Sequence, residues 1–220
     1  MKKKTTRISD KLTYQEDLLN FNNQKLNDLV VYAKENDVPI MQDEGLTFLI
    51  TIIKLINAKR ILEIGSAIAY SSLMMNFSTG AKIDTIEINE KMYQVAKDNI
   101  KHFGKEEDIN IIFGDALLQY DLLKDNTYDL IFIDAAKGQY EKFFKIYSPL
   151  LRQGGVIVCD NLYFHGLLFE EIESRNLRQL IRKIDDFNQF IKDEKDFETH
   201  IFKIGDGISV SIKKWVNIGL

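Results

Sequence analysis

The chain reads as an α/β fold: a central, mostly parallel seven-stranded sheet with helices on both faces and a C-terminal antiparallel hairpin. Three observations predict it. Short apolar runs alternate with helix-length amphipathic stretches through the middle of the chain, the pattern of successive βαβ units. Two of those runs, Arg60-Ile61-Leu62-Glu63-Ile64-Gly65 and Ile83-Asp84-Thr85-Ile86-Glu87, carry an acid at their carboxyl end, where a nucleotide-type sheet holds its ligand. Near the end, residues 200–204 and 208–212 flank Gly205-Asp206-Gly207, which reads as two strands around a glycine turn.

Taken in order, the first dozen residues are polar. From Leu18 to Ala33, Leu26, Leu29, Val30 and Ala33 fall at helical spacing, and residues 45–56 form a dense apolar run that reads as a buried helix. Strands are predicted at 60–64, 82–87, 109–113, 128–133 and 155–159. Helices are predicted at 70–78, 90–103, 116–123, 139–148 and 170–193, the last showing its core face through Leu177, Leu180, Ile181, Ile184, Phe187 and Ile191. No repeat, low-complexity tract or linker interrupts the pattern, so residues 1–220 read as a single domain with N-terminal helices.

The totals agree. A chain of 220 residues suits one α/β domain with a sizeable core. A formal net charge of −4 advertises no nucleic-acid binder, although local basic patches can exist on an acidic protein. The single cysteine, Cys159, excludes a disulfide framework and a cysteine-rich zinc site, and fits a reducing cytoplasm. No apolar run is long enough to span a bilayer. The basic start (Lys2, Lys3, Lys4, Arg7) lacks the apolar core of a signal peptide, so a cytoplasmic location is expected.

Absent glycines narrow the ligand. A dinucleotide site wants G-x-G-x-x-G so that backbone can approach a pyrophosphate. Here those positions are Gly65, Ala67 and Tyr70. An adenosine without a pyrophosphate fits better, and S-adenosylmethionine is the common one. A parallel sheet closed by a hairpin is the Rossmann-like architecture of class I methyltransferases. Glu63 and Gly65 are then expected beside the methionine part of the cofactor, although the same residues suit an ordinary tight turn. Glu87, at the tip of its strand, can accept both ribose hydroxyls. Asp115 can cap the helix after Gly114 and also lie beside the adenine.

Asp134 and the pair Asp160-Asn161 each follow an apolar strand, and in a parallel sheet those tips are neighbours. Together they offer three hard oxygen ligands, which suits Mg²⁺ or another divalent cation. The plainer alternative is two strand-end acids capping helices. Lys137, three residues after Asp134, is placed at the same cavity. Beside a dication and a sulfonium it can serve as a base, although alone it reads as a surface lysine.

With these residues in view a resemblance emerges. Glu63-Ile64-Gly65 with Ser71, Asp134-Ala135-Ala136-Lys137 and Asp160-Asn161 resemble the cation-dependent O-methyltransferases, the family of catechol and caffeoyl-CoA methyltransferases. Within that family, residues 38–41 and 132–140 and Gly205-Asp206-Gly207 are most similar to the bacterial tRNA 5-hydroxyuridine methyltransferases. The likeness runs from about Leu18 to Lys213. It implies that Met41, Ser71, Glu87, Asp115, Ala116 and Asp134 contact S-adenosylmethionine. It further implies that Asp134, Asp160 and Asn161 hold the metal, that Lys137 is the base, and that the enzyme is a homodimer. The implied acceptor is the 5-hydroxyl of 5-hydroxyuridine in the tRNA anticodon, giving 5-methoxyuridine, or alternatively a small phenol. A nucleotide-binding oxidoreductase or a non-catalytic cofactor-binding module is the reading from another class. The missing glycines oppose the first, and a module has no need of Asp134, Lys137, Asp160 and Asn161 at one rim. Two positions depart from the family pattern. Ala69 stands where glycine is usual, which is harmless if its φ stays negative, and Phe164 stands where many relatives carry tryptophan.

Overall fold

In a computed structural model, described for residues 24–163 and 174–215, seven strands form one sheet. The strands are β1 (Arg60–Ile64), β2 (Lys82–Glu87), β3 (Ile109–Phe113), β4 (Tyr128–Ile133), β5 (Leu151–Cys159), β6 (Phe197–Phe202) and β7 (Ile208–Lys213). The helices are α1 (Gln24–Glu35), α2 (Asp43–Leu55), α3 (Tyr70–Thr79), α4 (Glu90–His102), α5 (Tyr120–Leu123), α6 (Tyr140–Tyr147) and α7 (Arg175–Asp193). The order across the sheet is β3-β2-β1-β4-β5-β7-β6, with β7 antiparallel to both neighbours and the other pairings parallel. The expected mostly parallel sheet with a terminal hairpin is thus the observed one.

The central strands are apolar on both faces because both faces are covered. Ile61, Leu130 and Val158 belong to the core under α1–α4. Leu62, Ile131 and Ile157 belong to the core on the opposite face, with Tyr140, Phe144 and Phe187. Order reverses between β1 and β4, where crossovers leave to opposite sides and open a crevice at the strand ends.

Register brings the tips level. Ile64 lies opposite both Ile86 and Ile133, and Ile133 lies opposite Cys159. Each following residue extends the ladder by one bond: Gly65 N–H to Ile86 O at 2.9 Å, Asp134 N–H to Ile64 O at 3.0 Å, and Asp160 N–H to Ile133 O at 3.3 Å. The loops therefore leave the sheet from one line.

Several boundaries differ from the sequence reading. The helix expected at 116–123 is the single turn α5, because Asp115 Oδ1 accepts the Leu117 N–H at 2.9 Å and closes a turn of its own after Gly114 (φ +143°). Strand β5 begins four residues earlier than expected. The first hairpin strand covers 197–202 instead of 200–204, which leaves a longer turn at 203–207. The helix expected at 139–148 is preceded by a 3₁₀ turn, Lys137–Gln139. Phe164, the basic residues at 2–7, and the starts of the helices expected from Leu18 and from residue 170 lie outside the described residues.

Candidate active site

Gly65 sets the floor of the crevice. Its φ is +97°, and a Cβ there would lie 2.3 Å from the Asp134 carbonyl oxygen. Only glycine allows the loops after β1 and β4 to approach this closely. Ala67 and Ala69 follow with φ of +45° and +64°, so the condition of a negative φ at Ala69 is not met. Alanine tolerates the left-handed region at a cost of about 1 kcal/mol or more, offset here by complete burial of the Ala69 methyl in the core.

Glu87 holds the same loop from the side. Its Oε2 accepts the Ala67 N–H at 2.8 Å and its Oε1 accepts the Asn89 N–H at 2.7 Å. Each oxygen keeps a lone pair for a ligand in the crevice.

The crevice is a cavity of about 490 Å³. Of the residues singled out from the sequence, Met41, Gly65, Ser71, Glu87, Asp115, Ala116, Asp134, Lys137, Asp160 and Asn161 all line it. Glu63 does not. It alternates with Leu62 and Ile64, so its side chain turns under α3, where it is fully buried. There it accepts hydrogen bonds from Ser71 Oγ at 2.5 Å, from Thr85 Oγ1 at 2.7 Å, and from Ser72 Oγ. Burial pushes its carboxyl up to about 7 against those hydrogen bonds. Glu63, expected from the sequence to lie beside the cofactor, does not line the cavity and supports Ser71 from beneath. The period-two alternation of β1 carried that signal.

The sequence reading missed Gln42, Ile88, Gln139, Phe143 and Asp206, which also line the cavity. Asp206 sits in the β6–β7 turn, and antiparallel insertion of β7 beside β5 returns that turn to the functional edge. Two bonds fasten it there, Leu162 N–H to Gly207 O at 2.9 Å and Tyr163 N–H to Asp206 O at 2.8 Å.

One wall concentrates negative charge. Burial and the neighbouring Asp134 push the Asp160 carboxyl up to about 7. Asp134 is also raised, chiefly by burial, while Lys137 and the Asn161 amide pull it down. Asn161 Nδ2 donates to Asp134 Oδ1 at 3.2 Å, and the Asn161 N–H donates to Asp160 Oδ1 at 2.7 Å. From below, the buried Tyr140 hydroxyl donates to the Asp160 carbonyl at 3.1 Å. Among the described residues no three His, Cys, Asp or Glu side chains form a metal-binding group. The candidate set is therefore two carboxylates and one amide. Two desolvated carboxylates that repel each other favour a cation between them, and half a turn of the Asn161 amide presents its oxygen to the same point. The donors fit a hard divalent cation that keeps several water ligands.

A doubly wound sheet with β7 inserted antiparallel between β5 and β6, and an acid-lined cavity across its switch point, is the architecture of class I methyltransferases. Residues 15–214 match the O-methyltransferase family, and the chain belongs to it as an S-adenosylmethionine-dependent O-methyltransferase. A caffeoyl-CoA O-methyltransferase of Medicago sativa is 34% identical over 179 residues, covering 76% of this chain and 72% of that protein. Among solved structures, a candidate caffeoyl-CoA O-methyltransferase of Staphylococcus aureus superposes with a TM-score of 0.86 at 39% identity, covering 91% of this chain and 97% of the other. An O-methyltransferase of Bacillus cereus, solved with S-adenosylhomocysteine, has a TM-score of 0.79 at 24% identity over 91% and 96% of the two chains.

Proposed function

We propose that the enzyme methylates the 5-hydroxyl of 5-hydroxyuridine at the wobble position of the tRNA anticodon, forming 5-methoxyuridine, as a Mg²⁺-dependent cytoplasmic homodimer. The observation that carries this reading is the shared wall of Asp134, Asp160, Asn161 and Lys137 in a cavity whose other side presents Glu87. A 5-hydroxyuracil carries its hydroxyl beside the O4 carbonyl, a vicinal oxygen pair suited to a site of hard donors.

In this reading Glu87 accepts the ribose hydroxyls of S-adenosylmethionine, Asp115 and Ala116 border the adenine, and Met41, Gly65, Ser71 and Asp134 surround the methionine end. The cofactor supplies an activated methyl on its sulfonium. Asp134, Asp160 and Asn161 hold Mg²⁺, which when bound supplies Lewis-acid polarisation of the acceptor hydroxyl. Lys137 takes up the hydroxyl proton at Nζ. The cavity walls exclude water and align oxygen, methyl carbon and sulfur, so much of the rate comes from positioning. An anticodon loop presents unstacked bases, and one pyrimidine can enter without melting a duplex.

A second reading, a small catechol or caffeoyl-CoA-type acceptor, is favoured by the names of the plant and staphylococcal relatives. The two are separated by offering purified enzyme, Mg²⁺ and labelled S-adenosylmethionine to hypomodified tRNA and to simple catechols. Labelled 5-methoxyuridine in the tRNA is the expected result. Turnover of catechols with none of tRNA overturns it.

A further inference from the structure

Helix α7 carries Arg175, Arg178, Arg182 and Lys183 in its first half and has no acid in its first turn. The three arginines fall at i, i+3 and i+7, on the face opposite the buried Ile184, Phe187 and Ile191. All four cations are exposed, and none makes an ion pair within the described residues. Arg175 and Arg178 lie in the first turn, where cations oppose the helix dipole. On a chain of net charge −4, four exposed cations without an ion pair among the described residues form a local basic patch.

This face also adjoins the active site. A polar cleft of about 310 Å³ lies between α7 and the 3₁₀ turn after β4, lined by Lys142 and Lys183, and it shares Lys137 and Gln139 with the cavity. Lys183 lies against Gly138, its Nζ 3.6 Å from where a Cβ would stand. Two acids also line the cleft: Glu141, engaged by Lys145 at 2.5 Å, and Asp186. A track of six cations therefore runs from the cavity rim at Lys137, through Lys142 and Lys183, past Asp185 and Asp186 on the same helix face, to Arg182, Arg178 and Arg175, with about 12 Å of helix between Arg175 and Lys183.

We propose that this track binds the phosphodiester backbone of an RNA acceptor while the target base occupies the cavity. The proposal rests on the RNA reading above and specifies how that RNA is held. Phosphate contacts position a nucleic acid without reading its sequence, and each contact releases counterions, so affinity through this track falls steeply with salt.

The test uses the full-length enzyme and an unmodified anticodon stem-loop, which cannot be methylated at this position. Its dissociation constant is measured by fluorescence anisotropy over a range of salt, for wild type and for the triple variant Arg175→Ala, Arg178→Ala, Arg182→Ala. The expected result is about tenfold or greater weakening at low salt and a salt slope shallower by about two to three. Binding of S-adenosylhomocysteine by calorimetry should be unchanged, which excludes misfolding. Equal stem-loop affinity and slope in the two proteins overturn the proposal. It is also overturned if coenzyme A binds wild type and is lost in the variant while the RNA is indifferent, since the phosphates then belong to a nucleotide thioester. Loss of RNA binding in the variant, with no methylation of 5-hydroxyuridine by wild type, keeps the track and removes only the acceptor assignment.

Discussion

At Gly65 the loops after β1 and β4 approach to a distance that excludes any side chain. Gly65→Ala is expected to cost about 3 kcal/mol or more, because the new methyl meets backbone and not a movable side chain. Thermal denaturation measures it. Glu63 gives a pH-dependent effect. Its carboxyl stands near 7 when folded, against an ordinary 4.5, so the folded protein holds this proton more tightly than the unfolded chain. The resulting stabilisation is full below about 4.5 and is lost as pH rises through about 7, to a total of about 3 kcal/mol. Urea denaturation at pH 5 and at pH 7.5 should show this fall in wild type and a smaller one in Glu63→Gln. Asp160, also raised to about 7, contributes with the same sign in both proteins. Glu87→Ala should weaken S-adenosylhomocysteine by about 2–4 kcal/mol by calorimetry, through lost acceptors and a freed Ala67 loop. Asp160→Ala should abolish methyl transfer while leaving that binding largely intact. Full activity of wild type in excess chelator would remove the metal from the mechanism.

Among the elements, those with strong periodicity were legible and those defined by local hydrogen bonds were not. Of the core face read on α7 from apolar spacing, Ile184, Phe187 and Ile191 are buried, whereas Leu177, Leu180 and Ile181 in its first half are half-buried. The buried run after residue 45 is α2, entered two residues earlier through Asp43 and Glu44. By contrast, the truncation of α5 depends on one Asp115 side chain competing for the Leu117 amide, an event without periodicity. The β6 boundary was displaced because Phe197-Glu198-Thr199 pairs with β7 by register, from Lys213 to Ser211, and register is a property of two strands. Within the site, strand-tip acids were legible because a strand end is a fixed place. Asp206 was not, because its place depends on which strand β7 joins. Helix α6 offers an element-scale test. Phe144 meets Phe197 at 4.9 Å, Phe190 at 5.6 Å and Phe187 at 6.4 Å between ring centroids, joining α6, α7 and β6. Phe144→Ala should therefore cost about 3–5 kcal/mol in denaturant unfolding.

For the molecule as a whole, the order of the strands matters more than their number. Strand β7, which follows β6 in the chain, lies inside the sheet, bonded to β5 on one side and β6 on the other. It contributes the buried Ile208, Ser209, Val210 and Ser211 and completes the rim of the cavity through the turn that precedes it. A chain ending at Asp196 should therefore show no cooperative thermal transition and no binding of S-adenosylhomocysteine, and either property surviving would contradict this account. During synthesis the same arrangement has a kinetic consequence. Until β7 emerges, β5 presents Val156-Ile157-Val158-Cys159 as an open, apolar strand edge, the kind of surface that pairs with other chains. The nascent protein is thus prone to self-association until β7 is made, and closure by β7 both ends that exposure and completes the cavity rim.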